Sequence, residues 1–418
     1  MELTDFDTYR SFVFSLLYTS YDARDVFEKH VELAKQFEEP LLAGIPAHTN
    51  DKTPNRRLKI GYVSPDFRRH SVAYFIEGVL ASHNRDHFEI FCYSLISYED
   101  DVTTRMRSVA DHWENVADMD YDHVAELIRK DGIDILVDLA GHMYKHLLLF
   151  ARKPAPVQVS WIGYPATTGF RSVDYKIVDG YTDPPGMTEE FYSEKLLRMP
   201  DCFLCYTPEE NTPEVSALPA LTSEEVTFGS FNNLAKLTPE VVALWSKILQ
   251  SVPDSFLNLK AARTDRSTTE RVKGMFAKNG IDFGQLELIP FTPSFRGHLE
   301  TYHTIDIALD PFPYNGVTTT CEALWMGVPV ITLEGNAHVS RVGGSLLSAV
   351  GLKEFIAGSH EQYIETAVKL AGDLERLKSL RKSLRDMMKH SSLCDARRFT
   401  ENLEASYRRV WEGWCASV

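Results

Sequence analysis

Cysteine is scarce in this chain. Six cysteines in 418 residues cannot staple a scaffold of this size, which excludes a disulfide-dense fold. Cys202 and Cys205 form a lone C-x-x-C with no second ligand pair after it, and the surrounding Cys-Phe-Leu-Cys-Tyr reads as buried strand rather than as a metal or redox motif. Positive charge is also in deficit: 44 basic residues face 59 acidic ones, a net charge of −15, so neither nucleic acid nor an anionic membrane is expected as a partner. Long apolar runs are missing, none approaching the roughly 20 residues of a membrane span. The start, Met-Glu-Leu-Thr-Asp-Phe-Asp, is acidic where a signal peptide would be basic, and a cytoplasmic location is expected. There is no H-E-x-x-H, G-x-S-x-G, Walker lysine or G-x-G-x-x-G motif. Peptidase, lipase, P-loop ATPase and simple dehydrogenase readings therefore lose support. Internal repeats and low-complexity segments are absent as well.

What the sequence does contain is the alternation of an α/β protein. Its 44% apolar and 25% charged residues are an ordinary globular composition, and its length suffices for two cores. Residues 1–40 look helical, with Phe12, Leu16 and Leu17 on one stripe and Val26, Val31 and Leu33 on a second; a polar, proline-marked stretch follows to residue 57. From Leu58, strands are predicted over 58–64, 88–95, 133–139, 157–162 and 175–178, and helices over 71–82 and 121–130. Residues 207–225, rich in proline and acid, read as an interdomain linker. A second alternation places strands over 226–230, 256–260, 286–289 and 328–333, and helices over 239–251, 268–279 and 295–303. The tail from Glu361 reads as helices, including 397–414. The predicted division is a helical segment and linker over 1–57, domains over 58–206 and 226–390 on either side of the linker, and a closing helical segment over 391–418. Such alternation gives parallel sheets with helices on both faces, and two doubly wound domains facing each other across a cleft is the expected architecture.

The most informative stretch is 309–333. Ile305, Ile307 and Leu309 alternate as a strand does, and Pro311 and Pro313 forbid its continuation. Asn315 and Gly316 supply a turn, Thr318 to Thr320 offer hydroxyls and backbone N–H groups, Glu322 to Met326 reads as a short helix, and Gly327 stops it. A helix dipole and free N–H groups then face one spot, which is an anion site. Glu322, about one turn into that helix, can accept hydrogen bonds from a ribose diol. A nucleotide diphosphate pocket is one reading, and threonines that merely cap a helix are the other.

Lys236 closes the loop Phe231–Lys236 between a strand and a helix, where open α/β sheets bind ligands. It is either a cation for a leaving diphosphate or a solvated surface lysine. His70 follows the first strand of the first domain and His142 the strand over 133–139; both are expected to face the cleft as proton carriers or phosphate donors, unless they are ordinary surface or core histidines. His298 opens the helix before the organising stretch and can reach the same phosphates. Asp118, Asp120 and Asp122 have the spacing of a metal-dependent sugar-nucleotide site. Aspartate is favoured at a helix cap, so capping of the helix at Tyr121, and no metal, is the expectation.

Together, Gly61–Phe67 with His70, Arg152–Val159 with Trp161–Pro165, Phe231–Lys236 and Asn315–Pro329 resemble the O-GlcNAc transferase and SPINDLY family, over roughly residues 10–415. The resemblance implies a GT-B fold, two Rossmann-like domains around a cleft, and an inverting, metal-independent transfer of a sugar from a nucleotide donor to protein serine or threonine. It also implies roles. His70 is similar to the family's active-site histidine, Lys236 to its diphosphate lysine, with Asn233 in the same loop, and His298, Thr318 and Thr319 to its phosphate and nucleotide contacts. Glu322 is similar to a ribose ligand that is aspartate in the animal enzymes. Pro293 and Phe295 fall where the family holds the nucleobase; Gly163, Tyr164, Pro165 and His142 fall where it holds the sugar.

No cofactor is implied beyond the nucleotide-sugar co-substrate, UDP-GlcNAc or alternatively GDP-fucose, with UDP-glucose a further candidate. The acceptor implied is a protein or peptide hydroxyl. A sugar-nucleotide-binding module without catalysis is the alternative of a different class, and intact His70 and Lys236 argue against it. Two departures stand out. The family usually carries tandem tetratricopeptide repeats before its catalytic part, whereas the first strand is expected here as early as Leu58, so the repeats are either lost or cut away. The short linker lacks the long insertion of the animal enzymes, and Asp201–Tyr206 and Phe231–Lys236 resemble the plant SPINDLY branch, some of whose members use GDP-fucose.

Overall fold

The computed structural model describes residues 5–19, 22–261 and 263–417; of the expected helical start, residues 1–4 and 20–21 lie outside them. The chain divides into two compact units. The first takes the chain to Leu17, continues to Thr207 and resumes at Cys394; the second holds Pro208–Leu393 together with Tyr18 and Thr19.

The first unit is built on a seven-stranded parallel sheet in the order β3-β2-β1-β4-β5-β6-β7. Its strands are β1 Leu58–Ser64, β2 Phe88–Ser94, β3 His112–Asn115, β4 Ile135–Asp138, β5 Val157–Ser160, β6 Tyr175–Asp179 and β7 Lys195–Met199. Consecutive β1 residues Tyr62 and Val63 are both 0% exposed, as a strand with helices on both faces must be. The register runs from Leu58 opposite Phe88 to Ser64 opposite Ser94.

The second unit repeats the plan with six parallel strands in the order β10-β9-β8-β11-β12-β13. They are β8 Thr227–Ser230, β9 Phe256–Ala261, β10 Leu286–Pro290, β11 Ile307–Leu309, β12 Val330–Leu333 and β13 Ile356–Ala357. In each sheet the strand order reverses beside the first strand, between β1 and β4 and between β8 and β11. The loops leaving those strands at their carboxyl ends are where doubly wound sheets bind ligands.

The closing helix Ala396–Ala416 belongs to the first unit, not to a segment following the second. Its Phe399 ring stacks on Trp161 at 5.6 Å between centroids, and Trp411 is fully buried under the Arg56 guanidinium, 4.7 Å from the ring centroid. Residues 208–225 are tied to the second unit. Trp325 Nε1 donates to Thr212 Oγ1 at 3.1 Å, and Arg381 donates to Ser216 Oγ at 2.9 Å.

Several expectations need correction. In the helix Phe6–Leu16 the buried stripe is Phe6, Tyr9, Val13 and Leu16, while Phe12 points outward. Cys202–Tyr206 is buried but not a strand; the edge strand of that region is β7, Lys-Leu-Leu-Arg-Met, mostly half-exposed with only Met199 buried. The helices Asp101–Val109 and Val342–Val350 and the short strands β3 and β13 were not legible either. The aspartate cluster does cap: Asp120 accepts from the N–H groups of Asp122 and His123 at 3.1 and 3.0 Å. Asp122 pairs with Arg152 at 2.6 Å. Among the described residues, no group of three or more His, Cys, Asp or Glu is arranged to hold a metal ion, and no helix is long and apolar enough to cross a membrane.

Candidate active site

The helix at the organising stretch starts a turn earlier than its composition predicts. It runs Thr318–Trp325, and Val317 at its N-cap provides no capping side chain. The threonines are therefore the first turn of the helix rather than its cap, and their hydroxyls are used otherwise. Thr320 Oγ1 donates to Gly316 O at 3.2 Å, and Thr319 Oγ1 donates to Asn232 Oδ1 at 3.1 Å. An N-terminus without a side-chain cap leaves its first N–H groups for a ligand.

The turn before this helix is held open by Asp310 at the end of β11. Its Oδ1 accepts from Gly316 N–H at 2.6 Å and its Oδ2 from Thr332 Oγ1 at 2.7 Å. Gly316 has no room for a side chain, because a Cβ there would lie 2.6 Å from Thr319 Oγ1 and 2.9 Å from Asp310 Oδ1. Lys236 meets the same turn from the loop after β8. Its Nζ donates to Asn315 O at 2.7 Å and Asn232 Oδ1 at 3.1 Å, and lies 4.2 Å from the centroid of the Tyr314 ring. Burial pushes the Lys236 ammonium below the usual lysine range and the Asp310 carboxyl above the usual carboxylate range; the attraction between them opposes both shifts. Asn233 is turned away, exposed, with Oδ1 accepting from Ala235 N–H at 3.0 Å, and it is Asn232 that joins the cluster.

A second group adjoins the first. Lys260, at the carboxyl end of β9, donates from Nζ to Nδ1 of His298. With Nδ1 an acceptor, Nε2 carries the hydrogen, and it donates to Glu322 Oε2 at 2.9 Å. The Tyr302 hydroxyl lies 3.1 Å from the same Glu322 oxygen and 3.2 Å from Thr319 O. Lys260, His298, Glu322, Tyr302, Thr319, Asn232 and Lys236 thus form one connected polar chain along the carboxyl edge of the second sheet. Glu322 is buried, 3% exposed, with its second oxygen outside these bonds. Phe295 opens the helix that carries His298, its ring 6.4 Å away, and Pro293 is exposed just ahead of it.

In the first unit, His70 lies in the loop after β1, partly exposed. Its Nδ1 accepts from Val72 N–H at 3.3 Å and sits 3.5 Å from Asp66 Oδ2, a buried oxygen with no hydrogen-bond partner. Burial lowers the His70 pKa, with Asp66 opposing the shift.

His142 is a correction. Gly141, at φ +54°, turns the chain so that the imidazole points into the core, 0% exposed among Phe6, His30, Tyr164 and Phe170. Its Nε2 is 2.7 Å from Thr168 O, and burial pushes its pKa down to about 3. Tyr164 and Pro165 are also buried, the Tyr164 hydroxyl 2.6 Å from His30 Nε2. Of the four residues expected at the sugar, only Gly163 keeps partial exposure.

Sequence reasoning missed Asn232, Lys260, Tyr302, Asp310 and Asp66. Lys260 and Asp310 had a signal: each is a charge at the carboxyl end of an apolar strand of a parallel sheet. Asp66 and Asn232 lie within the motifs Gly61–Phe67 and Phe231–Lys236, whose pattern does not say which member joins the site, and Tyr302 had no signal because its partners come from other segments.

The chain is similar over 98% of its length, and over 78% of the other chain, to a solved mutant form of the O-GlcNAc transferase of Thermobaculum terrenum, with 39% identity and a TM-score of 0.93. It also resembles the Alr3699/HepE protein of Anabaena, solved with UDP and glucose, at 10% identity over 84% of this chain and 100% of that one, TM-score 0.52, a likeness of fold alone. The two Rossmann-like units are those of the GT-B glycosyltransferase fold. The sequence profile of glycosyl transferase family 41 matches residues 14–213 and 215–403, and the chain belongs to that family. Among curated relatives, the Petunia hybrida protein named probable UDP-N-acetylglucosamine–peptide N-acetylglucosaminyltransferase SPINDLY is 44% identical over 372 residues, 88% of this chain and 40% of its own length. The Arabidopsis thaliana relative of the same activity name, SEC, is 35% identical over 372 residues, 86% of this chain and 38% of its own. The chain thus spans less than half the length of these curated relatives.

Proposed function

We propose that this chain is the catalytic part of a protein O-glycosyltransferase that moves N-acetylglucosamine from UDP-GlcNAc to serine or threonine hydroxyls. The observation that carries the proposal is the meeting of Lys236, through Asn232 and Asn315, with the uncapped N-terminus of the helix Thr318–Trp325. In this reading the acceptor hydroxyl attacks the anomeric carbon opposite the leaving diphosphate, the glycosidic C–O bond forms as the bond to phosphate oxygen breaks, and the hydroxyl proton passes to a base. The negative charge growing on the leaving group is met by the Lys236 ammonium and the N–H groups at Thr318–Thr320, so no metal is required. Glu322 accepts from the ribose diol. His70 orients the sugar phosphate or the acceptor.

The printed names of the relatives support UDP-GlcNAc as donor. GDP-fucose is the competing donor, kept because Asp201–Tyr206 and Phe231–Lys236 resemble the plant SPINDLY branch. Diphosphate and ribose are common to both, so Lys236, Thr318 and Glu322 do not separate them. Thermal shift with UDP, GDP and their sugars decides: a nucleotide at a hundred times its Kd stabilises by about 2.7 kcal/mol. UDP-GlcNAc is expected to stabilise and to be turned over in EDTA. Stabilisation by GDP alone would replace the donor, and none by any sugar nucleotide at millimolar concentration would end the proposal.

A further inference from the structure

Both ring nitrogens of His298 are occupied by protein groups, Nδ1 by Lys260 and Nε2 by Glu322. A neutral imidazole so engaged has no hydrogen left for a phosphate oxygen. Lys260 is in the opposite position. Its ammonium has three hydrogens and uses one on His298. It is largely buried, 9% exposed, and among the described residues no carboxylate forms an ion pair with it. Glu322 attracts it from across the imidazole but makes no ion pair with it. A desolvated cation without a counterion is costly unless an anion arrives. Its place on β9, next to the strand whose loop carries Lys236, is on the ligand-binding edge of the sheet.

Resting on the reading of this edge as the donor site, we propose that Lys260 is a direct nucleotide ligand at the junction of phosphate and ribose, and that His298 positions Lys260 and Glu322 rather than touching phosphate itself. The titratable groups facing the ammonium are His298 and Glu322, with the Phe231 ring 5.8 Å away at its centroid. Burial pushes the Lys260 pKa down to about 8, with Glu322 opposing. Below that pH the lysine is already charged. Above it the lysine is neutral and must take up a proton as phosphate binds, so affinity falls as pH rises past about 8.

Calorimetric titration of the full chain with the nucleoside, monophosphate and diphosphate of the preferred base tests this. Lys260→Met is expected to weaken the monophosphate and diphosphate about tenfold or more, as for loss of a charge-assisted hydrogen bond, to change the nucleoside far less, and to flatten the alkaline fall in affinity. Lys260→Arg restores most of the affinity. The melting temperature of ligand-free Lys260→Met at pH 7 is expected to be no lower than that of the wild type, since a desolvated charge is removed. Should that variant fail to fold, Lys260→Gln carries the same comparison. Diphosphate binding within twofold of wild type, or equal weakening of nucleoside and diphosphate, overturns the role of Lys260 alone. A wild-type chain that binds neither UDP nor GDP overturns the donor-site reading and this inference with it.

Discussion

The Nζ of Lys236 donates to the backbone carbonyl of Asn315 at 2.7 Å, a partner 79 positions further along the chain. That bond joins the loop after β8 to the loop after β11 at the point where the strand order reverses. The ammonium is thereby aimed at the same turn that begins the helix Thr318–Trp325. In the proposed reaction this bond holds the ammonium in position for the charge that develops on the leaving diphosphate.

Replacing Lys236 by alanine is expected to lower kcat about a hundredfold or more, the scale seen when a single preorganised donor is removed. Steady-state turnover of sugar nucleotide with a peptide acceptor measures it. Wild-type turnover in the variant would mean that the phosphates lie elsewhere.

His70 is held below the ordinary histidine range by burial, so it is neutral at pH 7. If it takes part as a base, the rate falls as pH drops through its pKa, and His70→Ala removes that acid limb from the pH–rate profile. An unchanged acid limb in the variant assigns the ionisation to another group.

His142 is fully buried in the core, so its ionisation bears on stability. Its folded pKa, about 3, lies below the ordinary value of 6.5. The unfolded chain therefore binds the proton first, and stability is lost as pH falls from about 6.5 toward 3, by roughly 3 kcal/mol at pH 4 for this group. Urea titrations of wild type and His142→Gln between pH 7 and pH 4.5 are expected to show a shallower loss in the variant. Parallel curves would contradict the assignment.

Trp411 anchors the closing helix to the first unit, with Nε1 donating to Thr53 O at 3.4 Å and its ring fully buried. Trp411→Ala is expected to cost about 3–5 kcal/mol, as large aromatic truncations in cores do. Denaturation should show the loss in the first unit; a variant as stable as wild type would mean that the helix is not needed for that core.

Much of the fold was legible because its signals are local. β1 at 58–64 and the helix Pro239–Ser251 fall where they are predicted. An apolar run bounded by turn residues, and Thr238 accepting from Val241 N–H at 3.2 Å ahead of a proline, need nothing from the rest of the chain. Parallel alternation likewise follows from periodicity, and several ordered motifs sufficed to mark the family.

Tertiary structure alone decided which chemistry-bearing residues meet. His70 and His142 both follow strands, yet one sits in a partly exposed loop and the other lies beneath the helix Phe6–Leu16, because Gly141 turns it inward. Asn232 and Asn233 are neighbours of identical type, and backbone direction assigns one to Lys236 and the other to a helix cap. The pairing of Lys260 with Glu322 through His298 joins three elements separated in sequence. Sequence pattern carries burial and period, but the direction of a side chain at a strand end depends on the segments packed around it.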